Sequence, residues 1–578
     1  MITKVKKGLT AVGLTVLFSL IGFACKDQFL TINPTAQLAN DQLTGNAGLQ
    51  SLLIGAYADL NGRNYGWFGG FNWMFGSVTG GDANKGSNAG DQSTAVFIQN
   101  FSVTPTTGPG NDKWSAMYDG VARANNVLRV MATAGPDVTA DIKKNLSGQA
   151  RFLRGHYYSE LRKIFGMVPY VDETVDYGTG VDKVKNDVDI WPKIEADFKY
   201  AYDNLPETQD APGRANKWAA AAYLGKTYMF EKKFAEAKAI FDQVIASGKT
   251  ANGKKYALMP KFPDLFNAAF SNNEEAVFAI QAAANTGSVA NANPDFVLLF
   301  PYNGGPAGCC GFFQPSFEMA NSYRTNTNGL PLLDGSYNTG ANQLKTDQGV
   351  DSKSAFTPDA GNVDPRLDYS VGRRGIPYLD WGPHPGQDWI REQTYGGPYA
   401  PKKFVFPKAQ QGSLTDGSSW TAGYTAINYN LVRYADVLLM AAEAEIELNN
   451  LESGRRLINL VRARAANAAA YVTGADGKPA ANYLINQYAT AFASADAART
   501  AVRFERKLEL SGEGHRFFDL VRWGIADKAV NAYFGYESAK LPGTFTGAAF
   551  TAGKNEYLPI PQTQLDRQTG VLTQNKGY

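Results

Sequence analysis

Acid–base, nucleophilic and metal chemistry each need particular side chains at particular spacings, and this chain is poor in them. Its 578 residues include 3 histidines, His156, His384 and His515. No two of them stand at metal-ligand spacing, and no His-Glu-x-x-His occurs. Neither a Gly-x-Ser-x-Gly elbow nor a Gly-x4-Gly-Lys-Ser/Thr phosphate loop is present. His156 and His515 fall in helical segments and read as packing or hydrogen-bonding residues. Glu505, Glu509, Glu513 and Asp519 invite a glycosidase reading, since a carboxylate pair can cleave a glycosidic bond. Their neighbours Arg503, Arg506, Arg516 and Arg522 argue for an ion-pair lattice instead. A carboxylate beside arginine has a lowered pKa and makes a poor general acid. The expectation is a non-catalytic protein without metal or cofactor.

Sugar recognition uses other tools. A pyranose offers a C–H face, which an aromatic ring covers, and a rim of hydroxyls, which Asn, Asp, Gln and Arg bond. Three loop clusters hold this mixture. The first runs from Asn64 and Tyr65 through Trp67, Phe68, Phe71, Asn72 and Trp73 to Asp82, Asn84 and Lys85. The second holds Tyr302, Asn303, Phe312 and Phe313. The third holds Tyr378, Trp381, His384, Trp389 and Tyr395, with Asp380, Asp388 and Arg391. Many of these rings are glycine-flanked and off any helical period. Trp67, Trp73, Tyr302, Phe312, Trp381 and Trp389 are the rings expected to wall a shallow site. Within the second cluster, Cys309-Cys310 lies between Gly308 and Gly311. Two outcomes stand for that pair: a vicinal disulfide, which an oxidising compartment and the flanking glycines permit, or two buried thiols.

The balance of 56 Lys and Arg against 54 Asp and Glu gives a net charge of +2, which leaves no basic footprint for nucleic acid. A hydrophobic content of 44% excludes intrinsic disorder, and 3 cysteines exclude a disulfide scaffold. Residues 1–24 read as an export signal: Lys4, Lys6 and Lys7 precede an uncharged run from Gly8 to Ala24, short for a membrane span. The run ends Ile21-Gly22-Phe23-Ala24-Cys25, which resembles a bacterial lipobox with Gly22 in place of the usual Leu. The resemblance implies acylation of Cys25 and a lipid anchor.

The elements that must carry the loops are helices. Apolar stripes of period 3.6 run from Trp114 to Leu128, Ile142 to Phe165 and Trp191 to Leu205. Leu224-Gly225-x2-Tyr228-x8-Ala237-x3-Phe241 has the spacing of a tetratricopeptide helix pair, with small residues where the helices cross. One such pair cannot bury its own faces, so neighbours are expected. Tyr434–Asn449 with Ser453–Ala466 forms another pair, and Ala501–Leu510 a further helix. Residues 250–430 differ: rich in Gly, Pro, Asn, Tyr and Trp, they show one short strand pattern, Glu275–Ile280, and read as a loop-rich ligand-binding excursion. The expected organisation is a signal at 1–24, a helical region at 25–249, the excursion at 250–430 and a closing helical part at 431–578.

Several segments together resemble the SusD/RagB family. They are Gly148-Gln-Ala-Arg-Phe-Leu-Arg-Gly-His-Tyr-Tyr158 with Phe165-Gly-Met-Val-Pro169; Asp364-Pro-Arg-Leu367; Val432-Arg-Tyr-Ala-Asp436 onward to Ala444; Glu505 to Gly524; and Tyr557-Leu-Pro-Ile-Pro561 with the closing Leu572 to Tyr578. The resemblance implies a mainly α fold around four tetratricopeptide-like pairs. It also implies a surface-exposed outer-membrane lipoprotein that caps a SusC-like TonB-dependent transporter and captures glycans for it. RagB-like relatives handle peptides, so an oligopeptide ligand stays open, as does a part that only gates the transporter; a helical glycoside hydrolase is the enzyme alternative. Cys25→Ala should release the protein from the membrane fraction of cells lacking the transporter partner. Unchanged retention would contradict the lipobox reading.

Overall fold

The computed structural model describes residues 40–62, 69–293, 295–417 and 420–578. The leader and Cys25 lie outside them. The long helices are α1 (Asn46–Ala58), α2 (Gly108–Met131), α3 (Ala140–Phe165), α4 (Trp191–Asn204), α5 (Lys217–Phe230), α6 (Phe234–Ser247), α7 (Tyr434–Glu447), α8 (Leu451–Ala465), α9 (Ala495–Glu509), α10 (Arg516–Arg522) and α11 (Ala526–Lys540). From α1 to α6 each packs on its predecessor; α7 then packs on α6, and α8 and α9 pack on α7. Their ends follow local chemistry. Asn216 caps α5 by accepting from Ala219 N at 2.8 Å, Thr139 caps α3 through Ile142 N, and Gly166, at φ +72°, closes α3.

The expected helix crossing at Gly225 is present. A Cβ there would stand 2.4 Å from the Phe241 ring, so α5 and α6 approach closely only because the side chain is absent. Gly120 against Tyr157 and Gly454 against Ile446 repeat the device between α2 and α3 and between α7 and α8. Leu224, Ala237 and Phe241 are buried in the α5–α6 groove. The fold is mainly α and tetratricopeptide-like.

The chain leaves the helical stack after α6 and returns to it at α7. Its strands are short: β1 (Ala83–Gly86), β2 (Ala276–Ile280), β3 (Phe312–Pro315), β4 (Val371–Gly372), β5 (Ala400–Pro401), β6 (Thr415–Asp416), β7 (Tyr424–Thr425) and β8 (Tyr429–Arg433). They pair antiparallel as β1–β3, β2–β8, β4–β5 and β6–β7. The β2–β8 ladder closes the excursion at its base, with Phe278 opposite Val432 and Ile280 opposite Tyr429. Tyr434 N, opening α7, donates to Glu275 O at 2.9 Å.

Beneath that closure lies a buried ion-pair lattice. Arg433 reaches Glu275 at 2.9 Å, Glu509 at 2.6 Å and Glu513 at 2.7 Å. Arg366 reaches Asp364, Glu505 and Glu509. Arg462 pairs with Glu505, Arg464 with Glu275 and Glu509, and Lys403 with Glu513. Four arginines and one lysine thus face five carboxylates, every side chain being at most 4% exposed. Burial alone pushes the Glu509 carboxyl up, but Arg464, Arg433 and Arg366 outweigh it and hold it below its ordinary value. Glu513 is held down likewise by Arg433 and Lys403 against its burial. The lattice was expected with nearer partners. Of those, Arg506 and Arg522 do pair with Asp519, whereas Arg503 and Arg516 lie over the Trp523 ring. The partners of Glu505, Glu509 and Glu513 come from α8, from the excursion and from Arg433 at its close, not from their own sequence neighbours.

Removing one member of such a cluster strands the rest in a low dielectric. Arg433→Met should therefore lower stability by about 3–5 kcal/mol in chemical denaturation; a loss under about 1 kcal/mol would show that the lattice is dispensable. The depressed carboxylates stabilise the fold fully above the ordinary carboxylate range. That contribution is lost as pH falls through their folded values. The thermal midpoint should drop as pH is lowered from about 5 to 3.

Candidate functional site

Three loop segments meet at one surface of the excursion. The segment after Phe300 carries Tyr302, whose N donates to Trp389 O at 3.0 Å. Gly311 N donates to Phe300 O at 2.9 Å, and Gly311 O accepts from Ser87 N at 2.5 Å, which ties the segment to the end of β1. Arg391 donates to Ser87 Oγ at 2.8 Å and pairs with Asp91. Its guanidinium lies 4.9 Å from the centre of the Tyr302 ring, so one face of that tyrosine is already covered.

Trp389 packs edge-to-face on Tyr378 and His384, at 5.5 and 5.3 Å between ring centres. It also covers Gly304 and Gly305: a Cβ on Gly304 would stand 2.4 Å from the indole Nε1. Trp381 donates from Nε1 to Phe406 O at 3.0 Å and rests edge-on against the Phe406 ring. Phe406 in turn meets Phe300, which links the Trp381 turn to the Tyr302 segment. Tyr302, Trp381 and Trp389 are all half-buried. Each is anchored on one side and reaches the surface on the other, the posture of a platform. Asn303, Asp380, Gln387, Asp388 and Lys408 stand exposed around them and supply donors and acceptors. Asp380 accepts from the backbone N of Lys408 and Ala409, which fixes that rim.

Cys309 and Cys310 are joined as a disulfide within this surface. Trp420 was not anticipated. It is 56% exposed and lies three residues before Gly423, which packs on Phe300 and Ala307. Its signal was present in the sequence: a tryptophan between Gly417-Ser-Ser and Gly423, off any helical period.

Two expected wall residues belong to the core. Trp73 is 2% and Phe312 1% exposed, and neither can stack on a ligand. Trp73 opens a wide helical turn, Trp73–Val78, in which all six residues are buried. The turn docks on the segment after α9 so closely that a Cβ on Gly76 would stand 1.9 Å from Gly514 O. The Trp73 ring then packs on Phe312 and Phe313. Phe312, on β3, is sealed by that ring and by the Lys85 ammonium, 5.4 Å from its centre. Trp67 lies outside the described residues.

The histidines serve packing. Burial pulls His156 down to about 4 and both His384 and His515 to about 3, so all three are neutral at physiological pH. His384 Nδ1 accepts from Gly386 N at 3.1 Å and so shapes the turn before Trp389. Two grooves lie elsewhere. One of about 430 Å³ is lined by Arg162, Trp191, Phe230 and Tyr557, and one of about 590 Å³ lies between α6 and α8. Neither contains Tyr302, Trp381, Trp389 or Trp420. The aromatic surface lies apart from both grooves.

Comparison with known proteins agrees with this architecture. The family model of the SusD family matches residues 274–578. A second, described as starch-binding associating with outer membrane, matches residues 29–229. The chain is 25% identical to SusD-like protein P2 of Formosa agariphila, over 98% of each. It shares its fold with a SusD superfamily protein from Bacteroides vulgatus, at TM-score 0.67 and 21% identity over 92% of this chain and 99% of that one. It also shares it with surface glycan-binding protein A from Bacteroides thetaiotaomicron in complex with laminarihexaose, at TM-score 0.62 and 20% identity over 92% and 100%.

Proposed function

Because the chain belongs to the SusD family, we propose that it captures oligo- and polysaccharides at the cell surface and hands them to a SusC-like TonB-dependent transporter. The observation that carries this reading is the platform itself. Tyr302, Trp381, Trp389 and Trp420 reach the surface from anchored loops, with exposed Asn303, Asp380, Asp388 and Lys408 beside them. The carboxylates that a hydrolase would need are committed elsewhere: Glu505, Glu509 and Glu513 are buried against arginine and lysine. The bound glycan of the Bacteroides thetaiotaomicron structure supports the ligand class.

Attachment to the outer membrane would come from acylated Cys25, a reading supported by the short uncharged run, preceded by three lysines, that leads up to it. Among the described residues no helix is long and apolar enough to cross a membrane. A disulfide in a loop is consistent with export to an oxidising compartment. An open platform suits a polymer that must slide and be passed on, where a closed pocket would hold it.

Each stacked ring contributes about 0.5–1.5 kcal/mol, which places the affinity at roughly micromolar to millimolar. The test is calorimetric titration with laminarihexaose and maltohexaose, with circular dichroism as the folding control. Trp389→Ala, Trp381→Ala, Tyr302→Ala and Trp420→Ala should each weaken binding by about two- to tenfold and leave the fold intact. Trp73→Ala should instead destabilise the protein by about 3–5 kcal/mol. Parent-like binding by all four surface variants would refute the platform, and binding of peptides but of no glycan would refute the ligand class.

A further inference from the structure

We infer that the Cys309–Cys310 disulfide is the positioning element of the ligand platform, holding the loop that presents Tyr302 and supports Trp389; the inference rests on the glycan-capture reading above. The bonded pair is the only stretch between two backbone anchors, Gly308 and Gly311. Gly308 O accepts from Asn303 N at 3.2 Å. Gly311 is held at both its polar atoms, donating to Phe300 O and accepting from Ser87 N.

Both anchors border the platform. On the Gly308 side, Gly304 and Gly305 lie under the Trp389 indole, and Tyr302 N bonds Trp389 O. On the Gly311 side, a Cβ would stand 3.3 Å from Tyr302 Cβ and 3.7 Å from Arg391 Cβ, so this residue backs both the tyrosine and the guanidinium that covers it. The loop between is poor in side chains that could order it. It contains Gly304, Gly305, Gly308 and Gly311, and Asn303, Gly305, Gly308 and Gly311 sit at φ +63° to +75°. Glycine-rich backbone loses much conformational freedom when fixed. A bond between neighbouring side chains removes part of that freedom before any ligand arrives, which is preorganisation. Cys310 is 6% exposed and Cys309 half-buried, so the bond is packed on one side and open to solvent on the other.

Dithiothreitol opens such a bond by thiol–disulfide exchange: the reagent becomes its cyclic disulfide, and the Sγ atoms of Cys309 and Cys310 each take one electron and one proton. The experiment compares the oxidised mature protein, the same protein reduced with dithiothreitol, and the Cys309→Ala/Cys310→Ala double variant, with thiols counted by mass spectrometry after alkylation. Amide hydrogen exchange is followed at 302–313 and 387–391, and affinity is titrated with laminarihexaose and maltohexaose. Reduction and the double substitution should both speed exchange in these two segments and weaken binding by about fivefold or more. Helical circular dichroism should stay constant, and reoxidation of the parent should restore both readouts. Unchanged exchange would overturn the inference, and so would weaker binding without faster exchange, which would make the sulfurs a direct contact. If the oxidised parent binds neither sugar, the glycan reading fails while exchange still decides what the disulfide does.

Discussion

A buried lattice around Arg433 and Glu509 ties the excursion to the helical stack. Ions taken out of water are costly unless each finds opposite charge and hydrogen bonds in good geometry. Here that requirement acts across the chain. Glu275 precedes β2, Asp364 and Arg366 lie deep in the excursion, Lys403 lies near its end and Arg433 closes it; Arg462 and Arg464 belong to α8, and Glu505 and Glu509 to α9. The charges balance only when all these segments are home. The excursion is therefore locked to the helical stack at its base, and its outer loops can be irregular without being detached.

This division assigns the chemistry of the molecule. Charged groups that resemble catalytic equipment are structural, because arginine and lysine hold Glu509 and Glu513 in their charged form against the opposing effect of burial. The histidines are kept neutral by burial and serve as packing groups. What remains at the loop surface is aromatic area with a polar rim, which on the proposed function would bind ligand weakly. Weak binding would suit the proposed release of ligand to a partner.

The helices were legible because period and spacing carry information about packing. Gly225 and Phe241 meet as their spacing requires. The first turn of α9 was not legible: Ser494 caps a stretch of Ala and Asp with no apolar stripe, so the helix begins at Ala495, ahead of the expected Ala501. The aromatic clusters were legible as regions and misleading as residues. Glycine beside an aromatic ring has two physical meanings. At Gly304 and Gly305 it makes room for a half-buried indole at the surface; at Gly76 it lets one backbone press on another and drives Trp73 inside. Composition cannot separate the two, because the distinction lies in a partner segment, Gly512–Gly514, more than 400 residues away. The lattice partners were hidden for the same reason, although Arg366 and Arg433 both sit within the segments that carry the family resemblance.

On the proposed function, ligand meets the protein on the loop surface and not on the helical stack. The direct measurement is an amide hydrogen-exchange footprint of the oxidised protein with and without saturating oligosaccharide. Protection should appear in 300–313, 379–391 and around Trp420, with α5 and α6 unchanged. Protection confined to α3–α6 or to the groove between α6 and α8, with the loop surface unaffected, would contradict it.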